Sequence, residues 1–166
     1  AFLLNRSSYL AMNKDRIKQK QSKTAYRDAV AGIINIAYIT VYTKGYDKGI
    51  FWTDRMSNLL KEYQKLFPKD EEYIDKQWAR YYIFRATALE GLGHHHKAEK
   101  AYQAYLNKKF SNTTEGLTNA SDFLTVAKRW DEAVASYRTI MAYLKEELDV
   151  YSLDNIQRYL LKKDRA

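Results

Sequence analysis

The sequence predicts an all-α protein, an α-solenoid of antiparallel helix pairs with about eight helices, and three observations carry that expectation. The first is a recurring turn: Lys44-Gly45-Tyr46-Asp47-Lys48-Gly49, Gly93-His94-His95-His96-Lys97-Ala98 and Lys128-Arg129-Trp130-Asp131-Glu132-Ala133 are versions of one helix-turn-helix unit. Each has a ring in the turn (Tyr46, His95, Trp130) and a small residue three positions later, and in the second and third units a tyrosine follows, Tyr102 or Tyr137, where the first has Thr53. A small residue early in the second helix lets it cross its partner at short range, and an aromatic one turn on fills the groove beside it. The second observation is the period. Ala98 and Ala133 are 35 residues apart, while Gly49 and Ala98 are 49 apart, so one helix pair is stretched. The third is the lack of any stretch that alternates with period two, as a half-buried strand would.

Taken in order, a short helix apolar on one face is expected over Phe2 to Met12 and a long one over Ser22 to Thr43. The polar run Lys14 to Lys23 between them reads as a solvated connector. Asp47 to Phe67 and Asp70 to Leu92 flank Phe67-Pro68-Lys69-Asp70, because proline cannot continue the preceding hydrogen-bond ladder but suits the first turn of the next helix. Lys97 to Lys108, Thr113 to Lys128, Asp131 to Leu148 and Ser152 to Lys163 complete the set. Asn112, three residues ahead of Glu115, suggests a capping box. The repeat units are then 22–67, 70–108 and 113–148, with terminal helices 2–12 and 152–163, in one domain. Most of the 15 tyrosines are expected on helix seams.

Composition bounds the alternatives. A chain of 166 residues with 46% apolar residues and a mean hydropathy of −0.61 has ample core material and the balance of a soluble protein. One proline and six glycines leave no linker or disordered tract. The longest apolar run, Ala29 to Tyr42, is too short to cross a bilayer and reads as a buried helix. The chain opens at Ala1, and its helical pattern still runs at Lys162-Lys163-Asp164-Arg165-Ala166, so we read it as a piece of a longer protein. Zero cysteines exclude disulfides, thiolate metal sites and cysteine nucleophiles. Net charge is +8, and residues 1–30 hold seven basic against two acidic residues. No aromatic residues interleave the basic run Lys14 to Lys23, as stacking on single-stranded nucleic acid would want, so nucleic acid is not the expected partner.

The search for catalytic chemistry returns little. Adjacent residues on a helix point about 100° apart, so His94, His95 and His96 cannot all meet one ion, and they read as a solvated turn whose middle ring packs as Tyr46 and Trp130 do. Asp70-Glu71-Glu72 is an acidic run at a helix start, where it complements the dipole. No nucleophile elbow, phosphate loop or metalloprotease motif is present. The chain is expected not to be an enzyme, and to need no cofactor or metal.

The period and the small-residue positions resemble the tetratricopeptide repeat (TPR). The first-helix pattern of that family is matched by Ile33, Ala37 and Thr40, by Tyr82, Ala86 and Leu89, and by Leu117, Ser121 and Leu124. The resemblance implies a concave groove lined by first helices that binds a peptide, protein or small molecule. Matching offsets place Asn35, Tyr38 and Tyr42, then Arg80, Phe84 and Thr87, then Glu115, Asn119 and Asp122 on that groove, with Arg80 foremost as a partner for a ligand anion. One TPR subclass clamps terminal carboxylates. Asn35 and Asn119 match its asparagine positions, but Ile34, Ile83 and Thr118 stand where a clamp lysine belongs, so a carboxylate clamp is not expected.

A narrower resemblance covers more of the chain. Leu4-Asn5-Arg6-Ser7-Ser8-Tyr9, the stretch Ala79-Arg80-Tyr81-Tyr82-Ile83-Phe84-Arg85-Ala86-Thr87-Ala88-Leu89-Glu90-Gly91-Leu92-Gly93, and Leu153-Asp154-Asn155-Ile156-Gln157-Arg158-Tyr159-Leu160-Leu161 are similar to the extracytoplasmic TPR-type sensor regions of certain bacterial two-component histidine kinases. That resemblance implies a periplasmic input module, joined to the membrane only by a transmembrane helix outside these residues and able to form a homodimer through the parent kinase. The phospho-accepting histidine and ATP-binding motifs are absent, so kinase activity would belong to the parent. The alternative is a constitutive TPR scaffold, and the alternative location is the cytoplasm. A nucleic-acid-binding array rests only on the pI of 9.4.

Overall fold

The computed structural model describes residues 6–163, with side chains described over 22–146. The described residues form six α-helices and one 3-10 turn, with no strand among them: α1 Arg6–Tyr42, α2 Tyr46–Leu66, α3 Glu71–Gly91, α4 His95–Leu106, the 3-10 turn Lys109–Asn112, α5 Thr114–Val126 and α6 Trp130–Lys163. The chain is all-α, as its periodicity predicts. The helix count is lower than eight for a physical reason. Neither 13–21 nor 149–151 contains a glycine or proline, and the Lys, Gln and Arg residues of 13–21 propagate a helix well. The expected connector at Lys14 to Lys23 is therefore helical backbone inside α1, and the two expected C-terminal helices are one, α6. The expected start at Phe2 lies outside the described residues.

The three helical hairpins close in the same way. At the end of α1, Gly45 N–H donates to the Thr40 carbonyl (2.9 Å) and Lys44 N–H to that of Val41 (3.0 Å). At the end of α3, His94 bonds Leu89 and Gly93 bonds Glu90; after α5, Arg129 bonds Leu124 and Lys128 bonds Thr125. This paired closure satisfies the last helical carbonyls and requires a left-handed residue, which is Lys44 (φ 64°), Gly93 (φ 78°) or Lys128 (φ 57°). Five residues beyond each comes the small residue, Gly49, Ala98 or Ala133, and all three are buried. A Cβ on Gly49 would lie 2.7 Å from Val41 Cγ2 and 3.3 Å from the Ala88 methyl, so α2 crosses α1 and α3 at a separation only glycine permits.

Each hairpin packs on itself, α2 also packs on α3, and the first helices α1, α3 and α5 lie side by side. Among the described residues the second helices α2, α4 and α6 do not approach one another. One buried cluster runs through the array from Val30 and Val41 through Ile83, Phe84 and Tyr105 to Phe123 and Ala133. Ala86, Ala98, Ser121 and Ala133 all sit in it or against it, buried as their positions predict. Ala133 lies where α6 meets α5, so Ala133→Leu should overpack that seam and cost about 1–3 kcal/mol. An unchanged thermal melt would remove Ala133 from the crossing.

Three local expectations are corrected. Only Tyr46 packs its turn ring, on Gly91 of α3, where any Cβ would clash with the ring. His95 and Trp130 are exposed: the backbone of α4 does not approach that of α5 closely enough for His95 to lie on it, and α6 is the last described helix. The N-cap of α5 is Thr113 rather than Asn112; its hydroxyl accepts from Gly116 N–H at 3.1 Å, while Asn112 ends the 3-10 turn. Pro68 lies in the turn between α2 and α3 rather than in the first turn of α3.

Candidate functional site

The face formed by α1, α3 and α5 is where the predicted groove residues fall, and the structure sorts them into three groups. Tyr38, Tyr42, Phe84 and Asp122 come together. The Tyr38 and Tyr42 ring centroids are 4.5 Å apart, and Phe84 lies 6.0 Å from the first and 6.3 Å edge-on to the second. Successive turns of α1 supply the tyrosines, since residues four apart share a helix face. Tyr38 is 46% exposed and forms the rim, whereas Phe84 is buried and forms the floor.

At the base of this cluster the Tyr42 hydroxyl is buried and makes no hydrogen bond of ordinary geometry. The Asp122 carboxyl of α5 lies beside it, and the two act on each other. Burial, then the Asp122 charge, pushes the Tyr42 hydroxyl well above the usual phenol range. Burial likewise holds the Asp122 pKa above the ordinary carboxylate value, with the tyrosine offsetting part of the effect. No cation among the described residues pairs with Asp122. A desolvated carboxyl whose nearest donor is the imperfectly placed Tyr42 hydroxyl, reached past an exposed ring, forms an acceptor site that a further donor or a cationic group would satisfy.

Arg80 belongs to a second group with a different task. Its Nε–H donates to Glu115 Oε1 at 3.0 Å, its NH2 reaches the same oxygen, and NH1 donates to Gln77 at 3.3 Å. Lys76 adds an ion pair to Glu115 at 3.1 Å, and the guanidinium lies 5.7 Å from the Phe110 ring centroid. Burial disfavours the Glu115 charge, yet the hydrogen bonds from Arg80 and Lys76 outweigh it and lower its pKa. Arg80 thus ties α3 to α5, and its fork is occupied. Glu115 stands at the position equivalent to Arg80 in the next copy, 35 residues on, so opposite charges at matched positions of neighbouring first helices were the available signal.

The third group does not line an open groove. Thr87 is 1% exposed and its hydroxyl donates to the Ile83 carbonyl of its own helix, and Asn119 is buried at 8%. Asn35 is exposed on α1.

Elsewhere, His95 Nδ1 lies 2.7 Å from Glu90 Oε1, and no group of three His, Cys, Asp or Glu among the described residues could hold a metal ion. No described helix is long and apolar enough to cross a membrane. A scan against protein-family models, a search of the curated proteins and a search of the solved structures each return no match.

Proposed function

We propose that this chain is the ligand- or protein-binding input module of a bacterial two-component sensor histidine kinase, built as a TPR-like array. Its recognition face is that of α1, α3 and α5. The observation that carries the recognition reading is the Tyr42–Asp122 site, a desolvated carboxyl that has no cationic partner among the described residues and only the neighbouring Tyr42 hydroxyl as a donor, beneath the exposed ring of Tyr38. Burying polar groups unpaired costs stability, so a partner that supplies an amide, hydroxyl or ammonium there gains what the free protein lacks. The repeated left-handed turns and the row of first helices support the repeat reading.

The partner on this reading is a peptide, protein or small molecule, and neither a cofactor nor nucleic acid is involved. The exposed stripe Trp130, Val134, Tyr137, Met141 and Leu144 on α6 has the alternating four-three spacing of a helix-pairing seam, which supports a homodimer formed through the parent. On this reading the module lies in the periplasm, joined to the membrane by a helix outside these residues. A constitutive TPR scaffold is the second reading, favoured by the same α6 stripe. Determining the sequence beyond Ala166 separates them. An apolar run of about 20 residues followed by a kinase core supports the sensor, whereas further repeats ending in a polar cap support the scaffold.

A further inference from the structure

We propose a second binding site, on the opposite face of α3, for a small organic anion with an apolar body. α2 and α4 both pack on α3 but do not approach each other, and between them lies a cleft of about 820 Å³. That volume is within the range of small-molecule sites, roughly 300–1,000 Å³. Along α3 the lining runs from Tyr81 to Leu92, a length of about 16 Å at the helical rise. Tyr82 and Leu89 supply an apolar floor, and Ala101 and Ala104 leave the α4 wall low enough to admit a ligand.

The charges are one-sided. Arg85 is held in place from α2, its NH1 donating to Thr53 Oγ1 at 3.2 Å and to Asp54 Oδ1, and its guanidinium carbon lies 5.8 Å from the Tyr81 ring centroid. Its Nε–H and NH2 donors have no acceptor among the described residues. Lys97 and Lys100, three apart on α4, face the same cleft and make no ion pair there. Against these three cations the lining offers one carboxylate, Asp47, and Asp54 of α2 pairs with Arg85, which leaves Lys97 and Lys100 as the unpaired cations. A fixed guanidinium with free donors, two unpaired ammonium groups and an apolar floor favour a carboxylate or phosphate carried on an acyl or aryl body. This site is independent of the Tyr42–Asp122 face, which lies across α3.

Octanoate, 1-octanol and acetate probe the two halves of the site separately, and NMR shift mapping of the labelled chain locates each. Octanoate should bind saturably with its largest shifts at Arg85, Ala101 and Ala104. 1-Octanol and acetate should each bind at least about tenfold more weakly, the scale of one lost charged or apolar anchor. Lys97→Gln with Lys100→Gln, both on exposed positions, should lower octanoate affinity about tenfold without shifting the melt, and should leave 1-octanol unaffected. Ala104→Phe, which fills the cleft, should weaken both. Equal affinities for octanoate and 1-octanol, shifts centred away from the cleft, or an unchanged octanoate affinity in the lysine variant would each overturn the proposal.

Discussion

Replacing Phe123 by alanine is expected to cost about 3–5 kcal/mol. Phe123 is 1% exposed, and its ring stacks on Tyr102 of α4 with centroids 4.4 Å apart and planes at 28°. The backbones of α4 and α5 do not pack on each other, so this stack joins the second hairpin to the third where the helices themselves do not. Tyr102 in turn lies 6.1 Å from Tyr105, whose buried hydroxyl donates to the Gly116 carbonyl at 2.6 Å. Removing the ring leaves a cavity lined by aromatic faces that cannot collapse without moving α5. Urea unfolding measures the loss. Phe123→Leu, which keeps most of the volume but not the stack, should cost less than half as much, and equal costs would show that the aromatic stack rather than filled volume sets the loss.

Asp70→Ala should cost about 2–4 kcal/mol, because it strips the acceptor from three donors at once. Asp70 Oδ2 receives the Tyr63 hydroxyl, Arg27 NH2 at 2.6 Å and Lys23 Nζ at 3.1 Å, and Tyr63 is fully buried. Arg27 Nε also donates to the Tyr63 hydroxyl at 3.0 Å, so the network closes on itself between α1 and the α2–α3 turn. Burial first, then the bond to Asp70, pushes the Tyr63 hydroxyl up to about 12. Burial opposes the Asp70 charge, but the bonds from Tyr63, Arg27 and Lys23 prevail and lower its pKa. A carboxylate whose folded pKa is depressed contributes stability that is complete above its unfolded value, about 3.9, and lost as pH falls through the folded value. The gap between parent and Asp70→Ala should therefore be widest near neutral pH and narrow below about pH 4. A gap that does not change with pH would mean that the lost stability is packing, not charge.

The core was legible because it depends on spacing. Gly49, Ala98 and Ala133 could be placed at crossings from their positions alone, and the helical period put Ala86 and Ser121 inside. What the sequence hid depends on partners far along the chain. Arg80 carries the chemistry of an anion receptor, but Glu115, brought beside it by the packing of α5 on α3, occupies it. Thr87 has the right helical phase for the groove, yet it is covered by the neighbouring helices and turns its hydroxyl to its own backbone. Tyr38, Tyr42 and Asp122 come together, and their meeting required α1, α3 and α5 to lie in a row. The cleft over α3 was missed for the converse reason. It exists because two second helices fail to meet, and periodicity reports contacts but not gaps.

The central claim is that recognition runs through the Tyr38, Tyr42 and Asp122 face, and signalling by the native full-length parent tests it most directly. Tyr38→Ala removes the exposed rim, and Asp122→Asn removes a charge that burial already disfavours, so neither should unfold the chain. With melts matching the parent, both variants are expected to shift the downstream response several-fold, by roughly the 1–3 kcal/mol typical of a coupling free energy, while Lys61→Gln on the exposed side of α2 leaves it unchanged. Parental signalling in both variants, with the fold intact, would contradict the account and move the input to another surface.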